Sequence, residues 1–479
     1  MTSLLIKNAI AILTGLPGEN ARHTGPDIRV TDGKIAAIGA LEAKAGEQAI
    51  DATDCVIYPA WINTHHHLFQ ALLKGEPRGI NATLTPWLAA TPYRFRGAFD
   101  ADSFRLAARI GLVELALSGC ATVADHNYLY YPGQDFDSSA ILFEEAETLG
   151  LRFVLCRGGA TITRQLEAEL PQALRPETME AYMADMERLA TRYHDSSPTA
   201  MRRVVMAPTT PPHSMRPEEL RECAAVARRL GLRLHSHLSE TVAYQDSVHG
   251  THGMSPVHFC ESVDWLGNDV WFAHLVKLDA DEIALLGATR TGIAHCPQSN
   301  GRLGSGIAPI RALEAAGVPI SIGVDGAASN EAADMISEVH AAWLLQRAKG
   351  GEAAQAKFRG GVGEAGANLA NEAATVEDVV RWGTAGGAAV LGLPDIGTLE
   401  VGQVADIAIY DLTRNPRYFG LHDPAIGPVA SAGSAHLRAL LVGGRRVVAD
   451  GALPDFDMAE LAHQARLAVK KLIARAEAV

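Results

Sequence analysis

From Cys55 to Gln70 the chain reads CVIYPAWINTHHHLFQ, an apolar run that closes on three consecutive histidines. Seven later stretches repeat this plan of a short apolar run with polar residues at its end. They are ATVADH (121–126), LRFVLCRG (151–158), RRVVMAPT (202–209), RLHSHLSE (233–240), VWFAHLVKL (270–278), GIAHCPQSN (292–300) and PISIGVDG (319–326). Helical patterns lie between them, such as PEELRECAAVARRLG (217–231), which has a helical period and a glycine stop. Eight buried runs alternating with helices predict an α/β fold, a (β/α)8 TIM-like barrel. A doubly wound open sheet is the runner-up.

The chain ends read differently. LLIKNAIAILTG (4–15) and DIRVTDGKIAAIG (27–39) are short β-like runs, with an Asp-Gly hairpin signal in TDGK. GTLEVGQVADIAIYD (397–411) and LRALLVGGRRVVADG (437–451) look alike. We therefore expect a small β-sandwich built from both ends. Residues 1–58 form its first half, 59–393 the barrel, and 394–479 the second half plus a C-terminal helix from Met458.

The formal charge of −13 argues against nucleic-acid and membrane-surface partners. The six cysteines are scattered without a CxxC pair, as in a reduced cytoplasmic protein. The N-terminal apolar stretch carries Lys7 and is too short to span a bilayer.

In a barrel, strand C-termini meet at one face, so the polar run ends converge there. Alternate strand residues share a face, which aims His65 and His67 together and His66 elsewhere. His237 ends another run, and three imidazoles with Asp325 would suit Zn2+ or Fe2+. Each residue also has a plainer reading. Asp325 sits in an Asp-Gly turn, His235 shares a face with His237, Glu240 suits a helix start as well as a proton shuttle, and His274 suits a packed core. GVGEAG (361–366) matches a dinucleotide-binding pattern, but no apolar strand leads into it, so we read it as a loop. The H-x-E…P-C-x-x-C zinc deaminase signature is absent.

Taken in order, PAWINTHHHLFQ, HSHLSE, WFAHLVKL, HCPQSNGRLGSG and GVDGAASN resemble the amidohydrolase superfamily over nearly the whole chain. The resemblance is to the branch that removes amino or chloro groups from cyclic amidines: guanine, 8-oxoguanine, pterin and s-triazine hydrolases. Ala60 departs from the glycine found in many relatives. The resemblance implies metal ligands His65, His67, His237 and Asp325. It implies catalytic roles for Glu240, His274 and Asp325, with His66 and His235 as supporting residues. Binuclear members carry a carboxylated lysine at a barrel strand end. No lysine occurs here between Lys74 and Lys277, so one divalent ion is expected, Zn2+ before Fe2+.

The implied reaction is hydrolytic deamination of a 2-amino-4-oxo bicycle such as isoxanthopterin, another pterin or 8-oxoguanine, releasing ammonia. Gln70 is expected at the amide edge of the ring and Arg157 at its far side, with Trp87 and Phe69 available to stack. Two alternatives stand beside this reading: an s-triazine, guanine or cytosine aminohydrolase, and a non-catalytic scaffold of the same fold. The expected partner is a small heterocycle, and the expected assembly a homo-oligomer.

Overall fold

The computed structural model describes residues 3–164, 167, 168, 170–357, 373–433, 435–454 and 456–478. Eight strands form one parallel sheet in chain order. They are β1 (Trp61–Asn63), β2 (Cys120–Asn127), β3 (Arg152–Arg157), β4 (Arg202–Met206), β5 (Arg233–Leu238), β6 (Val270–His274), β7 (Gly292–His295) and β8 (Ile320–Ile322). Both faces are covered, which is why the runs are apolar throughout. Val154, Cys156, Val205 and Ala273 fill one side, while Phe153, Leu155, Val204 and Phe272 join the larger core.

The sheet nearly closes between β1 and β8, so the open-sheet alternative is set aside. Thr64 N–H donates to Ile322 O at 3.1 Å. One step beyond, His66–His67 pair in parallel with Asp325–Gly326. The seam of the barrel is thus made by the residues richest in site chemistry. A helical stretch from Val376 to Leu391 covers it, with a π-helical turn at Trp382–Gly386. Two glycines permit the approach: a Cβ on Gly387 would lie 2.7 Å from Ile62 Cβ, and one on Gly386 would collide with the Ile320 carbonyl.

The chain ends build two further sheets. Four strands, Lys34–Gly39, Asp27–Thr31, Ser3–Lys7 and Gln48–Asp51, come from the N-terminal part. The other sheet runs Arg445–Ala449, His436–Val442, Ile407–Asp411, Cys55–Pro59, Ala11–Leu13 and Arg22–His23, and so mixes both ends. Ile6, Ile28 and Ile35 of the first pack with Ile57, Ile409 and Leu441 of the second. The TDGK turn is a two-residue hairpin with Asp32 and Gly33 both at positive φ.

Two features differ from the sequence reading. The first apolar run is two strands, because the chain changes sheets at Ala60. Ala60 N–H bonds Asp406 O at 3.0 Å, and the next amide, Trp61 N–H, bonds Gly119 O at 2.9 Å. The C-terminal helix Met458–Ala478 packs on the barrel helix Ala101–Leu117, with Arg475 paired to Asp100 at 2.6 Å. GVGEAG lies outside the described residues. All six cysteines are free and buried. Among the described residues no helix is long and apolar enough to cross a membrane.

Candidate metal centre and active site

Backbone strain collects at the C-terminal ends of β5, β6 and β8. Ser239, His274, Leu275 and Asp325 all have positive φ, at 51°, 78°, 43° and 59°. Such conformations cost about 1–3 kcal/mol each and persist where surrounding structure enforces them. Here they turn side chains. Phe272 packs into the core, and His274, on the same strand parity, faces a cavity of about 680 Å³ together with Glu240 and Asp325.

Hydrogen bonds set the tautomers of the central histidines. His67 Nδ1 lies 2.7 Å from His126 O and His237 Nδ1 lies 2.6 Å from Thr209 O. A carbonyl only accepts, so each Nδ1 carries the proton and each Nε2 a lone pair. His235 Nδ1–H donates to Trp271 O at 2.9 Å, which makes its Nε2 the acceptor for His65 Nδ1–H at 2.8 Å. His65 Nε2 is then also bare, and it has no hydrogen-bond partner.

These lone pairs converge. Nε2 of His67 and of His237 are 3.2 Å apart. Asp325 Oδ1 lies 3.4 Å from His65 Nε2 and 3.1 Å from His67 Nε2. Its other oxygen is occupied by Ser299 Oγ–H at 2.5 Å and Ser329 Oγ–H at 3.1 Å, which leaves Oδ1 facing inward. Burial holds His65 and His237 well below the ordinary imidazole value, so both stay neutral. Three imidazole lone pairs and a carboxylate oxygen aimed at one dry point repel one another unless a cation lies between them. The donor set therefore fits a divalent metal, with carbonyls and His235 orienting the rings from behind.

Glu240 follows the strained Ser239 and borders the same cavity. Oε1 accepts from Ser305 Oγ–H at 3.3 Å, and Oε2 is 3.8 Å from His274 Nε2. His274 Nδ1 bonds Asn300 Oδ1 at 2.9 Å, which leaves Nε2 free toward the cavity. Burial raises the Glu240 carboxyl above its ordinary value, which favours its protonated form.

The structure thus brings together His65, His67, His237, Asp325, Glu240 and His274. His66 turns away, its Nδ1 against Asp325 O. Gln70 lies behind the cavity wall, where its Nε2–H donates to Tyr128 OH at 2.8 Å and Tyr128 borders the cavity. Arg157 is not brought to the cavity. Its guanidinium clamps Glu177 at 2.7 Å and Asp185 at 3.0 Å and lies 4.0 Å from the Tyr130 ring centre. Desolvation of such a buried cation needs those partners, so the Arg157 guanidinium is committed to them and away from the cavity. Phe69 is core, edge-on to Phe99 and Tyr128, while Trp87 borders the cavity. Among the cavity and cluster residues that escaped the sequence reading are His126, Tyr128 and Arg164. His126 is the last residue of ATVADH, a run like those singled out, and Tyr128 lies two residues on. Arg164 sits in a loop with no period to mark it.

Residues 56–447 match the model of the amidohydrolase family. The chain belongs to the amidohydrolase family. Over 474 residues this amidohydrolase is 68% identical to an isoxanthopterin deaminase of an unknown prokaryotic organism, covering 98% of this chain and 97% of the relative. It is 38% identical to the 8-oxoguanine deaminase of Pseudomonas aeruginosa, covering 99% and 100%. The atrazine chlorohydrolase of Arthrobacter aurescens TC1 complexed with zinc superposes with a TM-score of 0.86 at 28% identity, covering 97% and 100%.

Proposed function

We propose that this amidohydrolase is a metal-dependent aminohydrolase of a 2-amino-4-oxo bicycle, an isoxanthopterin-type pteridine before 8-oxoguanine. The observation that carries the reading is the 68% identity to an isoxanthopterin deaminase across 98% of the chain. The convergent donor set beside Glu240 and His274 supports it chemically.

The ion is a single Zn2+ held by His65, His67, His237 and Asp325, with Fe2+ the other candidate. β4 and the Ala207–Pro208–Thr209 segment after it contain no lysine that could be carboxylated to bridge two ions. A divalent ion held there supplies a water acidic enough to attack at neutral pH. Glu240 gives its proton to the ring nitrogen next to the amino-bearing carbon, which keeps negative charge off the ring. Asp325 and His274 Nε2, both at the cavity, take up the water proton and pass it to the departing amine. The C–NH2 bond breaks as C=O forms, ammonia leaves, and the proton shed by the new carbonyl oxygen restores that of Glu240.

Tyr128, held by Gln70, meets the amide edge of the ring. Arg164 takes the distal role first assigned to Arg157. It borders the cavity, lies 5.0 Å from the Tyr93 ring centre and is tied to Glu167 through Nε at 3.1 Å, which leaves other guanidinium N–H groups for a ring oxygen. The six buried free thiols suit a reducing cytoplasm.

The test is ammonia release from isoxanthopterin, pterin, 8-oxoguanine, guanine, cytosine and an aminotriazine under one set of conditions. Isoxanthopterin is expected to give the highest kcat/KM, at least about tenfold above the one-ring compounds, since each tenfold needs only about 1.4 kcal/mol of transition-state binding. Cytosine or the triazine as the best substrate would overturn the two-ring reading.

A further inference from the structure

His126 is the penultimate residue of β2 and takes no part in the proton transfers described above. Its Nε2–H donates to Ala207 O at 2.8 Å, so Nδ1 carries the lone pair. That Nδ1 is fully buried and has no hydrogen-bond partner. A bare acceptor in a dry interior is costly and calls for a partner. The ring lies nearly parallel to His237, with centres 4.7 Å apart. One nitrogen of each of His65, His67, His126 and His237 falls in a group whose members all lie within 4.8 Å of one another.

A second group, His65, His237, His274 and Asp325, satisfies the same limit and shares two histidines with the first. The two groups differ in access. His67, His237, His274, Asp325 and Glu240 border the cavity, whereas His65 and His126 do not. They also differ in charge, since the four-imidazole group contributes no carboxylate.

We infer that His126 Nδ1 is the fourth ligand of a second cation position, formed by His65, His67, His126 and His237 on the closed side of the metal centre. The inference rests on His65, His67 and His237, which this position shares with the proposed metal centre, being metal ligands. Each shared ring has one free lone pair, so an ion occupies one position or the other. Four neutral nitrogens suit nitrogen-seeking ions, Cu2+ above all, over oxygen-seeking ones. Four protein ligands leave no coordination place for water or substrate and so make a site of the structural kind, not a catalytic one. An ion held there leaves Asp325 and Glu240 without the ion they serve, so the position is an inactive alternative that biases which metals the enzyme tolerates.

The probe is Cu2+ itself. One equivalent is added to chelator-stripped protein, and pulsed electron paramagnetic resonance counts the imidazoles bound. Wild type is expected to show four, and His126→Gln and His126→Asn three. Three in wild type with an unchanged spectrum in the variants removes the second position and leaves the metal centre standing. Four in the variants assigns the fourth imidazole elsewhere and also overturns the inference. Fewer than two imidazoles in wild type overturns the metal centre as well. Should both variants fail to fold, copper anomalous diffraction from wild-type crystals decides. A peak within about 2.3 Å of His126 Nδ1 supports the position, and one beyond about 3 Å rejects it.

Discussion

Glu240 and Arg157 are both buried at barrel strand ends, and their surroundings give them opposite tasks. Glu240 has a long contact to Ser305 and faces the cavity, so its proton can be delivered. Glu240→Gln is expected to retain its metal and lose about 10²-fold or more in kcat, read by elemental analysis and turnover. Turnover near the wild-type rate would remove Glu240 from the chemistry. Arg157 is consumed by Glu177 and Asp185, which lie in the segment and helix after β3. Arg157→Met should lower unfolding free energy by about 3 kcal/mol in chemical denaturation, because two carboxylates lose their cation, without reordering substrates. Arg164→Met should instead cost about tenfold in kcat/KM for rings with a distal oxygen, within the usual worth of a charged hydrogen bond. If the two variants exchange these phenotypes, the distal assignment is wrong. Nothing local in LCRGGATITR (155–164) distinguishes the two arginines. Arg157 ends a run just as the histidines do, and only the fold shows that its carboxylate partners stand closer than any substrate.

At the level of elements, the seam between β1 and β8 is the decisive feature. Strand ends were legible because burial on both faces forces apolar runs and polar residues can only follow them. The strained φ angles of His274 and Asp325 were not legible, since local preference opposes them and only closure of the barrel imposes them. The split at Ala60 was hidden for a related reason: both strands are buried, so no polar residue separates them. The covering helix makes the seam testable. Gly386→Ala would drive a methyl into the Ile320 carbonyl. It should lower the Tm by several degrees and weaken metal retention, because β8 leads directly to Asp325. Gly250, inside the helix Val242–His252 and with open space around its missing Cβ, is the control. Gly250→Ala should stabilise by about 0.4–1 kcal/mol. Equal responses at both positions would show that the seam is not tightly packed.

For the whole molecule, the buried histidines make stability depend on pH. His66, His235 and His295 are each pushed down to about 3, chiefly by burial. Unfolded, they titrate near 6.5. Between about pH 6.5 and 3 the unfolded chain therefore binds more protons than the folded one, and stability falls as the pH falls. Three such groups give a slope on the order of 4 kcal/mol per pH unit below about pH 6. Thermal unfolding should shift steeply downward from pH 6.5 to 5, and a flat Tm across that window would mean these rings are not held neutral.

The proposed deamination requires a single divalent ion at a site built from residues of β5, β6 and the β1–β8 seam. Metal-stripped protein titrated with Zn2+ while ammonia release from isoxanthopterin is followed tests that most directly. The rate is expected to rise linearly and break at one equivalent per chain. A break at two equivalents, or no ammonia at any ratio, would contradict it.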